Sequence, residues 1–479
     1  MLQAYPRPQF ERKQWMNLNG TWMFAFDDED RGEKEKWYTQ FPEAIDIQVP
    51  YTYETKMSGI GDERHHSVIW YQKDFDLEPL DNRVLLNFGG ADYMAKVWIN
   101  GAFAGEHTGG YSAFTLDITD NAHSGMNTVT VCMRDSTSCT QPRGKQRWKD
   151  ENFGCWYVQT TGIWKTVWLE LVSDCYLDKV KITPDLDATT VHFDGKIVGI
   201  THKENVCLEC AIYLKGTLIA KQEMNAFGDH IHFSILLSSK NEPWTVAVWS
   251  PENPVLYDVE FTLRDGEKKD KVHSYFGMRK ISISGNKVLL NNIPIYQRLI
   301  LDQGYWENSG LTPPDDTAYE KDLDMIFAAG YNGLRKHQKT EDDRFLYLCD
   351  RKGMLVWSEM AAQYAFHDDA IHTFTKEWME IVEQNYNHPS IIVWTPFNES
   401  WGIEKVHRNS QQQEFTKAIY SLTKAYDLMR PVIVNDGWEH TVSDIISLHD
   451  YEASGGDFIR RYQDLTKLLD CDDTFNGHK

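Results

Sequence analysis

The chain has 479 residues, which at about 150 residues per domain predicts about three domains. Its 49 basic and 71 acidic residues give a net charge of -22, which disfavours binding to nucleic acid and to anionic lipid. No apolar run approaches the roughly 18 residues needed to cross a bilayer, and residues 1–15 carry charges rather than an apolar signal segment. We therefore expect a soluble, cytoplasmic protein with no nucleic-acid or membrane partner.

The cysteine and aromatic residues give further information on the kind of fold and ligand to expect. The eight cysteines are too scattered for a disulfide-stabilised fold. Cys207 and Cys210 form a CxxC pair within an apolar segment, and we interpret them as small core residues of a strand rather than zinc ligands. Aromatic residues reach 13%, which either reflects many short strands or provides platforms on which sugar rings stack.

Two β-rich domains are predicted in the first part of the chain. Residues 1–173 alternate short strands with turn signals and predict a jelly-roll-like β-sandwich. Residues 174–277 repeat this pattern more compactly, with a strand expected at 245–249, and predict an immunoglobulin-like β-sandwich without the disulfide.

From residue 278 to 479 apolar strands alternate with amphipathic helices, which indicates a parallel sheet, either doubly wound or a (β/α)₈ TIM barrel. The predicted strands are 294–301, 332–337, 354–360, 390–398, 432–437 and 444–451. The predicted helices are 316–329, 341–352, 373–386, 411–426 and 457–469. Neither a GxGxxG nor a GxxxxGK[ST] motif is present, so nucleotide-binding versions are disfavoured.

In a parallel barrel the reactive groups lie at the C-terminal ends of the strands. These ends carry acids, amides, histidine and arginine: Asp302, Gln303, Arg335, Lys336, His337, Glu359, Asn398, Glu399, Asn435, Asp436, His449, Asp450 and Tyr451. Such a ring suits a polyhydroxylated ligand. Polar residues are also expected wherever strand ends meet solvent, so the pattern alone leaves both interpretations open.

The fourth predicted strand favours the first interpretation, because its buried apolar run ends in Asn398 and Glu399. Glycosidic cleavage needs a carboxylic acid that protonates the leaving oxygen, and it gains from a hydrogen bond at the sugar 2-hydroxyl. An Asn-Glu pair at a strand end supplies both groups. The competing interpretation of Glu399 is a solvated carboxylate that begins a loop.

Five short motifs together resemble glycoside hydrolase family 2, the β-galactosidase, β-glucuronidase and β-mannosidase superfamily. They are LNGTW at 18–22, VWING at 97–101, TTGIW at 160–164, YFGMR at 275–279 and NHPS at 387–390. Each is weak alone, but their order and spacing over the whole chain make the resemblance specific.

The resemblance implies a retaining exo-β-glycosidase that hydrolyses terminal β-linked sugars, with a β-galactoside or β-glucuronide-like substrate. It implies that Glu399 is the acid/base carboxyl, that Asn398 binds the 2-hydroxyl, and that Arg335 orients the catalytic carboxylates. Tyr451 resembles the tyrosine near the nucleophile. A structural ion pair for Arg335 and simple rim packing for Tyr451 remain alternatives.

The sequence departs from the family pattern at several positions. The His-Glu pair that follows the first strand in typical β-galactosidases is Gln303-Gly304 here, and the Arg-x-x-His pattern of the second strand is shortened to Arg335-Lys336-His337. The sugar is therefore not fixed as galactose, and Asp302 and His337 are the candidates for binding its hydroxyls. The positions that hold magnesium in some members are Gln363 and Ala365 here, so we expect no catalytic metal and no cofactor.

The family's nucleophile is a Glu at the end of the seventh barrel strand, and no residue of this sequence matches it. We therefore expect a TIM barrel that is incomplete at its C-terminal end, lacking its last two βα units. A non-catalytic carbohydrate-binding protein is the alternative function, and an unrelated barrel enzyme such as an isomerase is a third. The acidic sandwich domains permit a homo-oligomer without requiring one.

Overall fold

The computed structural model describes residues 2–78, 82–200, 206–238 and 246–464. Within these ranges two antiparallel β domains precede a domain of parallel strands and helices, as the sequence predicts. No helix in the described ranges is long and apolar enough to cross a membrane.

The first domain is a sandwich of two antiparallel sheets. Its elements are β1 (Trp15–Asn17), β2 (Gly20–Phe26), α1 (Gly32–Glu35), β3 (Ile45–Val49), β4 (Val68–Leu77), β5 (Arg83–Phe88), β6 (Ala91–Asp92), β7 (Met94–Ile99), β8 (Ala102–Thr108), β9 (Phe114–Asp117), β10 (Gly125–Arg134), β11 (Gly162–Ile163) and β12 (Val167–Val172). The larger sheet has the order β3-β2-β4-β10-β7-β8, the smaller has the order β1-β12-β5-β9, and β11 pairs with β6.

Side-chain alternation explains why these strands pack as a sandwich. Along β2 the inward positions Trp22 and Phe24 are buried while Thr21 and Met23 face solvent, which is the period of two expected for a strand with one covered face. Both aromatic rings join the core between the sheets. Complete burial of one such side chain contributes about 1.5–3 kcal/mol.

The second domain has the strand content of an immunoglobulin-like sandwich. Its strands are β13 (Tyr176–Asp185), β14 (Thr190–Val198), β15 (Val206–Leu214), β16 (Thr217–Asn225), β17 (His230–Leu236), β18 (Tyr257–Asp265) and β19 (Lys268–Phe276). They form the sheets β13-β14-β17 and β16-β15-β18-β19. Both cysteines of the CxxC pair are free on β15, and Cys210 lies in the core.

A buried ion cluster joins the first two domains. Arg12 donates to Glu170 Oε2 on β12 at 2.8 Å and to Asp270 Oδ2 on β19 at 2.9 Å. Arg7 also contacts Glu170, which is fully buried. The two arginines lower the pKa of Glu170 to about 2 although burial alone would raise it.

The third domain begins with a small antiparallel sheet and continues as alternating parallel strands and helices. Its elements are β20 (Ile281–Ser284), β21 (Lys287–Leu290), β22 (Ile293–Pro294), β23 (Leu299–Asp302), α2 (Ala318–Ala328), β24 (Gly333–Lys336), α3 (Asp343–Lys352), β25 (Leu355–Glu359), α4 (Asp368–Asn385), β26 (Ile391–Thr395), β27 (Phe397–Asn398), α5 (Ser410–Tyr426), β28 (Asn435–Asp436) and α6 (Gly455–Tyr462).

The parallel strands are neighbours in chain order, which brings their C-terminal ends to one edge. Strands β23, β24, β25 and β26 form one parallel sheet, and β27 pairs with β28 in parallel. Pro396 has no N–H and separates β26 from β27. Pairing with the next strand continues on both sides of this break, because the Ile433 N–H donates to the Trp394 carbonyl at 2.9 Å before it and β27 pairs with β28 after it. Asp302, Lys336 and Glu359 therefore end adjacent strands at the edge where Asn398 and Asp436 also lie.

Several predicted elements differ from the structure. The predicted strand 444–451 is irregular, because side chains and backbone groups share its pairing. The side chains of Asp444 and Ser447 accept from the Val432 and Gly437 N–H groups at 2.9 and 3.0 Å. The Asp444 and His449 N–H groups donate to the carbonyls of the same two residues at 2.9 and 3.3 Å. The predicted strand 294–301 is divided between β22, which pairs antiparallel, and β23.

Two further predictions differ in extent. Residues 246–249 are not a strand, although Trp249 is fully buried, and residue 245 lies outside the described ranges. Helix α6 ends at Tyr462, and residues 465–469 of the predicted last helix also lie outside the described ranges.

Candidate active site

The predicted acid lies where the fourth barrel strand ends. Residues of β26 are all buried, and β27 brings Asn398 and Glu399 to the edge of the sheet. Glu399 and Ser400 both have left-handed backbone conformations, with φ of 49° and 56°. A non-glycine residue in that region costs roughly 1–2 kcal/mol, so surrounding contacts must hold this turn. One of them is the Glu399 N–H, which donates to the Asp436 carbonyl at 2.9 Å.

The Glu399 carboxylate is half-buried and has two side-chain partners. His449 Nδ1 lies 2.7 Å from its Oε1, and the Tyr451 hydroxyl donates to the same oxygen. Burial alone would raise the pKa of Glu399, but these two hydrogen bonds lower it to about 2. The described residues therefore hold Glu399 as a carboxylate that accepts two hydrogen bonds.

Arg335 connects the buried polar groups of the site. From β24 its guanidinium pairs with Glu359 Oε2 at 3.3 Å and with Asp436, and it donates to Asn398 Oδ1 at 3.2 Å. Both carboxylates are buried, so the single arginine compensates two negative charges. His449 extends this network, because its Nε2 lies 3.1 Å from Asp436 Oδ2.

His337 lies beside Arg335 and closes the network at the third strand. Its Nδ1 is 2.9 Å from Glu359 Oε1, which also accepts from the Gln338 N–H at 3.0 Å. Burial alone would raise the pKa of Glu359, but Arg335 and His337 lower it below its ordinary value. The fully buried Glu359 carboxylate thus fixes the positions of two site residues.

Asp302 belongs to a different ion cluster. It accepts from Lys336 Nζ at 2.7 Å, and Lys336 also pairs with Glu341 at 2.9 Å. Successive residues of a strand point to opposite faces, so the side chains of Arg335 and Lys336 lie on opposite sides of β24. The structure therefore brings Arg335, His337, Asn398, Glu399 and Tyr451 together and places Asp302 with Lys336.

A long segment of the first domain, residues 135–161, reaches the rim of the third domain. The Arg143 and Gly144 N–H groups donate to the Ala362 carbonyl at 3.0 and 3.1 Å, and the Tyr364 N–H donates to the Cys139 carbonyl at 2.8 Å. A Cβ on Gly144 would lie 2.2 Å from the Gln338 carbonyl oxygen, so this close approach needs glycine.

Aromatic rings of the segment 135–161 lie beside the site. The Trp156 ring is 5.5 Å from that of Trp401, two residues after Glu399, and the Trp148 ring stacks on Tyr364 at 4.7 Å. Other tryptophans of the described residues are buried: Trp22, Trp37, Trp70, Trp98, Trp164, Trp168, Trp249, Trp378 and Trp394. The interpretation as core residues therefore holds for the buried tryptophans, while a role of Trp148 and Trp156 in stacking on sugar rings stays a prediction.

Three residues of the site had no role assigned from the sequence, namely Glu359, Asp436 and His449. All three follow the strand-end pattern, which was the available signal, but their roles depend on contacts between distant segments. Within the described ranges, no group of three or more His, Cys, Asp or Glu side chains is placed to hold a metal ion.

Two β domains precede a domain of parallel strands and helices, and one of these strands ends in the Asn398–Glu399 pair. Sequence profiles for "Glycosyl hydrolases family 2" match the chain in three consecutive parts: the sugar binding domain at residues 15–170, the family's middle domain at 175–279 and the TIM barrel domain at 281–456. The chain belongs to glycosyl hydrolases family 2, as its sequence motifs predict.

The relatives are distant in sequence. A relative from Formosa agariphila is 24% identical over 497 residues, and this chain spans only 56% of its length. The beta-glucuronidase of Chlorocebus aethiops is 25% identical over 470 residues, which cover 89% of this chain and 70% of the relative.

Solved structures share the fold. The apo structure of a β-glucuronidase from Ruminococcus gnavus has a TM-score of 0.74 and 21% identity, and the match covers 90% of this chain and 73% of that one. A beta-glucuronidase of an uncultured Clostridium species has a TM-score of 0.73 and 21% identity, covering 90% of this chain and 74% of that one.

Proposed function

We propose that this chain carries the acid/base half of a retaining exo-β-glycosidase site, with terminal β-glucuronides as the favoured substrates and β-galactosides as the runner-up. The observation that carries the proposal is the Asn398–Glu399 pair at a barrel strand end, with Asn398 bound by Arg335 and Glu399 bound by His449 and Tyr451. The names of the relatives favour a glucuronide.

In this reaction Glu399 donates a proton to the glycosidic oxygen as the bond to the anomeric carbon breaks, and it later takes a proton from the attacking water. Asn398 binds the sugar 2-hydroxyl, where a hydrogen bond strengthens in the transition state. Arg335, Glu359 and Asp436 hold Asn398 in place through their shared ion pairs.

A retaining mechanism also needs a carboxylate nucleophile about 5–5.5 Å from the acid. We propose that this group is supplied by residues outside the 479, since the chain spans only part of the length of its relatives. A second carboxylate at that distance would raise the pKa of Glu399 by like-charge repulsion. A general acid that works near neutral pH needs such a raised pKa.

A second candidate function is sugar binding without turnover. The observation that favours it is the pKa of Glu399, which its contacts within the described residues lower to about 2. At neutral pH such a carboxylate is ionised and has no proton to donate. It would still accept hydrogen bonds from sugar hydroxyls.

The test compares two proteins, the 479-residue chain and a longer chain extended through the downstream reading frame. Each is assayed on aryl β-glucuronides and aryl β-galactosides, as wild type and as Glu399→Gln. Hydrolysis by the longer chain that falls at least about a hundredfold in Glu399→Gln supports the glycosidase proposal.

The other outcomes separate the alternatives. Strong hydrolysis by the 479-residue chain would overturn the proposal that the nucleophile lies outside it. Binding of a sugar by calorimetry, with no turnover in either chain, would favour the binding protein. Hydrolysis of galactosides but not glucuronides would correct the substrate.

A further inference from the structure

The turn that presents Glu399 has an unusual backbone, because two consecutive non-glycine residues, Glu399 and Ser400, are left-handed. A carboxylate carried on such a turn stays in place only if the surrounding structure supports the conformation. The support comes from one short strand, β28, which pairs in parallel with β27.

Two consecutive residues of β28 accept hydrogen bonds from the two backbone N–H groups of this turn. The Glu399 N–H donates to the backbone carbonyl of Asp436 at 2.9 Å, and the Ser400 N–H donates to the side-chain Oδ1 of Asn435 at 2.9 Å. The first bond continues the ladder of the sheet. The second is made to a side chain of the same strand, at the point where the backbone of the turn leaves the sheet.

The remaining donors of Asn435 hold the other side of the turn. Its Nδ2 donates to Ser400 Oγ at 2.9 Å and to the Glu439 carbonyl at 2.7 Å, while Ser400 Oγ donates to Glu439 Oε2 at 2.8 Å. Asn435 is fully buried, so these groups have little water to replace a lost partner.

We propose that Asn435 is a positioning residue for the acid/base carboxyl, acting through Ser400 to hold Glu399 in the geometry that proton transfer needs. The inference rests on the proposed function of Glu399. The side-chain hydrogen bonds of Asn435 go to Ser400 and Glu439 and not to the Glu399 carboxylate, so its contribution is to the direction of that carboxylate and not to the chemistry itself.

Replacement of Asn435 by alanine removes the acceptor for the Ser400 N–H and both donors. We expect the turn to relax and the Glu399 carboxylate to move by about 1 Å, a displacement that costs about a hundredfold in rate. Ser400→Gly in the Asn435→Ala background should restore much of the geometry, because glycine adopts the left-handed conformation without a steric penalty.

A matched control is Asn332→Ala at the opposite end of the barrel strands. Asn332 Oδ1 accepts from the Arg298 N–H at 2.8 Å, and its Nδ2 donates to the Tyr296 carbonyl at 2.9 Å. It thus resembles Asn435 in its bonds but lies far from Glu399 along the strand direction.

The first readout is the crystal structure of each variant, which needs no turnover. We expect the Glu399 carboxylate to leave His449 in Asn435→Ala, to return in the double variant and to stay in place in Asn332→Ala. An unchanged Glu399 in Asn435→Ala would overturn the proposal even if every form of the protein were inactive.

The second readout is the dependence of rate on the leaving group, in the longest active form of the protein. A misplaced acid should cost about a hundredfold on alkyl glycosides and much less on dinitrophenyl glycosides, whose leaving groups need little protonation. An equal loss on both substrates would indicate general destabilisation and would overturn the positioning role. Inactivity of the wild type on all glycosides would instead refute the proposed function, and the crystal structures would still decide the role of Asn435.

Discussion

The Nδ1 atom of His449 lies 2.7 Å from Oε1 of Glu399, while the Nε2 atom of the same ring lies 3.1 Å from Oδ2 of Asp436. One imidazole therefore bridges the half-buried carboxylate of Glu399 and the buried ion-pair network of the site. Because His449 contacts both Glu399 and Asp436, a change in the charge of one carboxylate can affect the other through this ring.

We expect His449→Ala to raise the pKa of Glu399 from about 2 towards its ordinary value of 4.5, because the ring supplies one of the two hydrogen bonds that lower it. NMR titration of labelled glutamate side chains measures this, with Glu399→Gln for assignment. His123→Ala, on a surface loop of the first domain, is the control. A pKa that stays near 2 would mean that Tyr451 alone is responsible.

Removal of Arg335 should destabilise the third domain. Arg335→Ala leaves the buried Glu359 and Asp436 carboxylates without their shared cation, and breaking such a pair costs about 3–5 kcal/mol. Urea unfolding measures the loss, which should be largest at pH 7 and should shrink as the pH falls below 4.5, because Glu359, whose pKa Arg335 lowers, then takes up a proton. Arg298→Ala removes an exposed arginine and should cost little. Equal effects of the two variants would contradict the assigned network.

The interdomain contact at Glu170 should make stability sensitive to acid. The pKa of this buried carboxyl in the folded protein is about 2, below its ordinary value of 4.5, so its stabilisation is present above pH 4.5 and is lost as the pH falls towards 2. Glu170→Gln should lower Tm at pH 7 and flatten the fall of Tm between pH 4.5 and 2. The exposed Glu106→Gln is the control, and an unchanged acid slope in Glu170→Gln would refute the prediction.

Glu377 should act in the opposite direction. It is buried on α4, accepts from the Tyr111 N–H of the first domain at 2.7 Å, and burial raises its pKa to about 7. Its stabilising contribution is therefore complete below pH 4.5 and is lost as the pH rises through 7, by up to about 3 kcal/mol.

Glu377→Gln should accordingly raise Tm at pH 8 while leaving it nearly unchanged at pH 4.5. Differential scanning calorimetry at the two pH values checks this, with Glu414→Gln on the exposed face of α5 as the control. A lower Tm in Glu377→Gln at pH 8 would show that the ionised carboxylate is stabilising there.

Local patterns predicted the strands that deliver the site. The apolar run 390–398 predicted a buried strand, which the structure divides into β26 and β27 at Pro396, and the predicted strand 332–337 was found as β24 within one residue at each end. The motif order also predicted the family correctly. These features depend on neighbouring residues, which the sequence displays directly.

The remaining features depend on contacts between distant segments. The segment 444–451 has the composition of a strand, but the side chains of Asp444 and Ser447 accept from the Val432 and Gly437 N–H groups, so its pairing is only partly between backbone groups. Asp302 ends its strand as predicted, but its carboxylate forms an ion pair with Lys336 and does not join the groups around Glu399. Such competition between side chains cannot be read from spacing alone.

The backbone hydrogen bonds between residues 139–144 of the first domain and residues 362–365 of the third have a consequence for how this architecture evolves. The groups around Glu399 and the segment packed beside them come from different domains, so a recombination that exchanged the first domain would also break these backbone hydrogen bonds. We therefore expect the two domains to be inherited together.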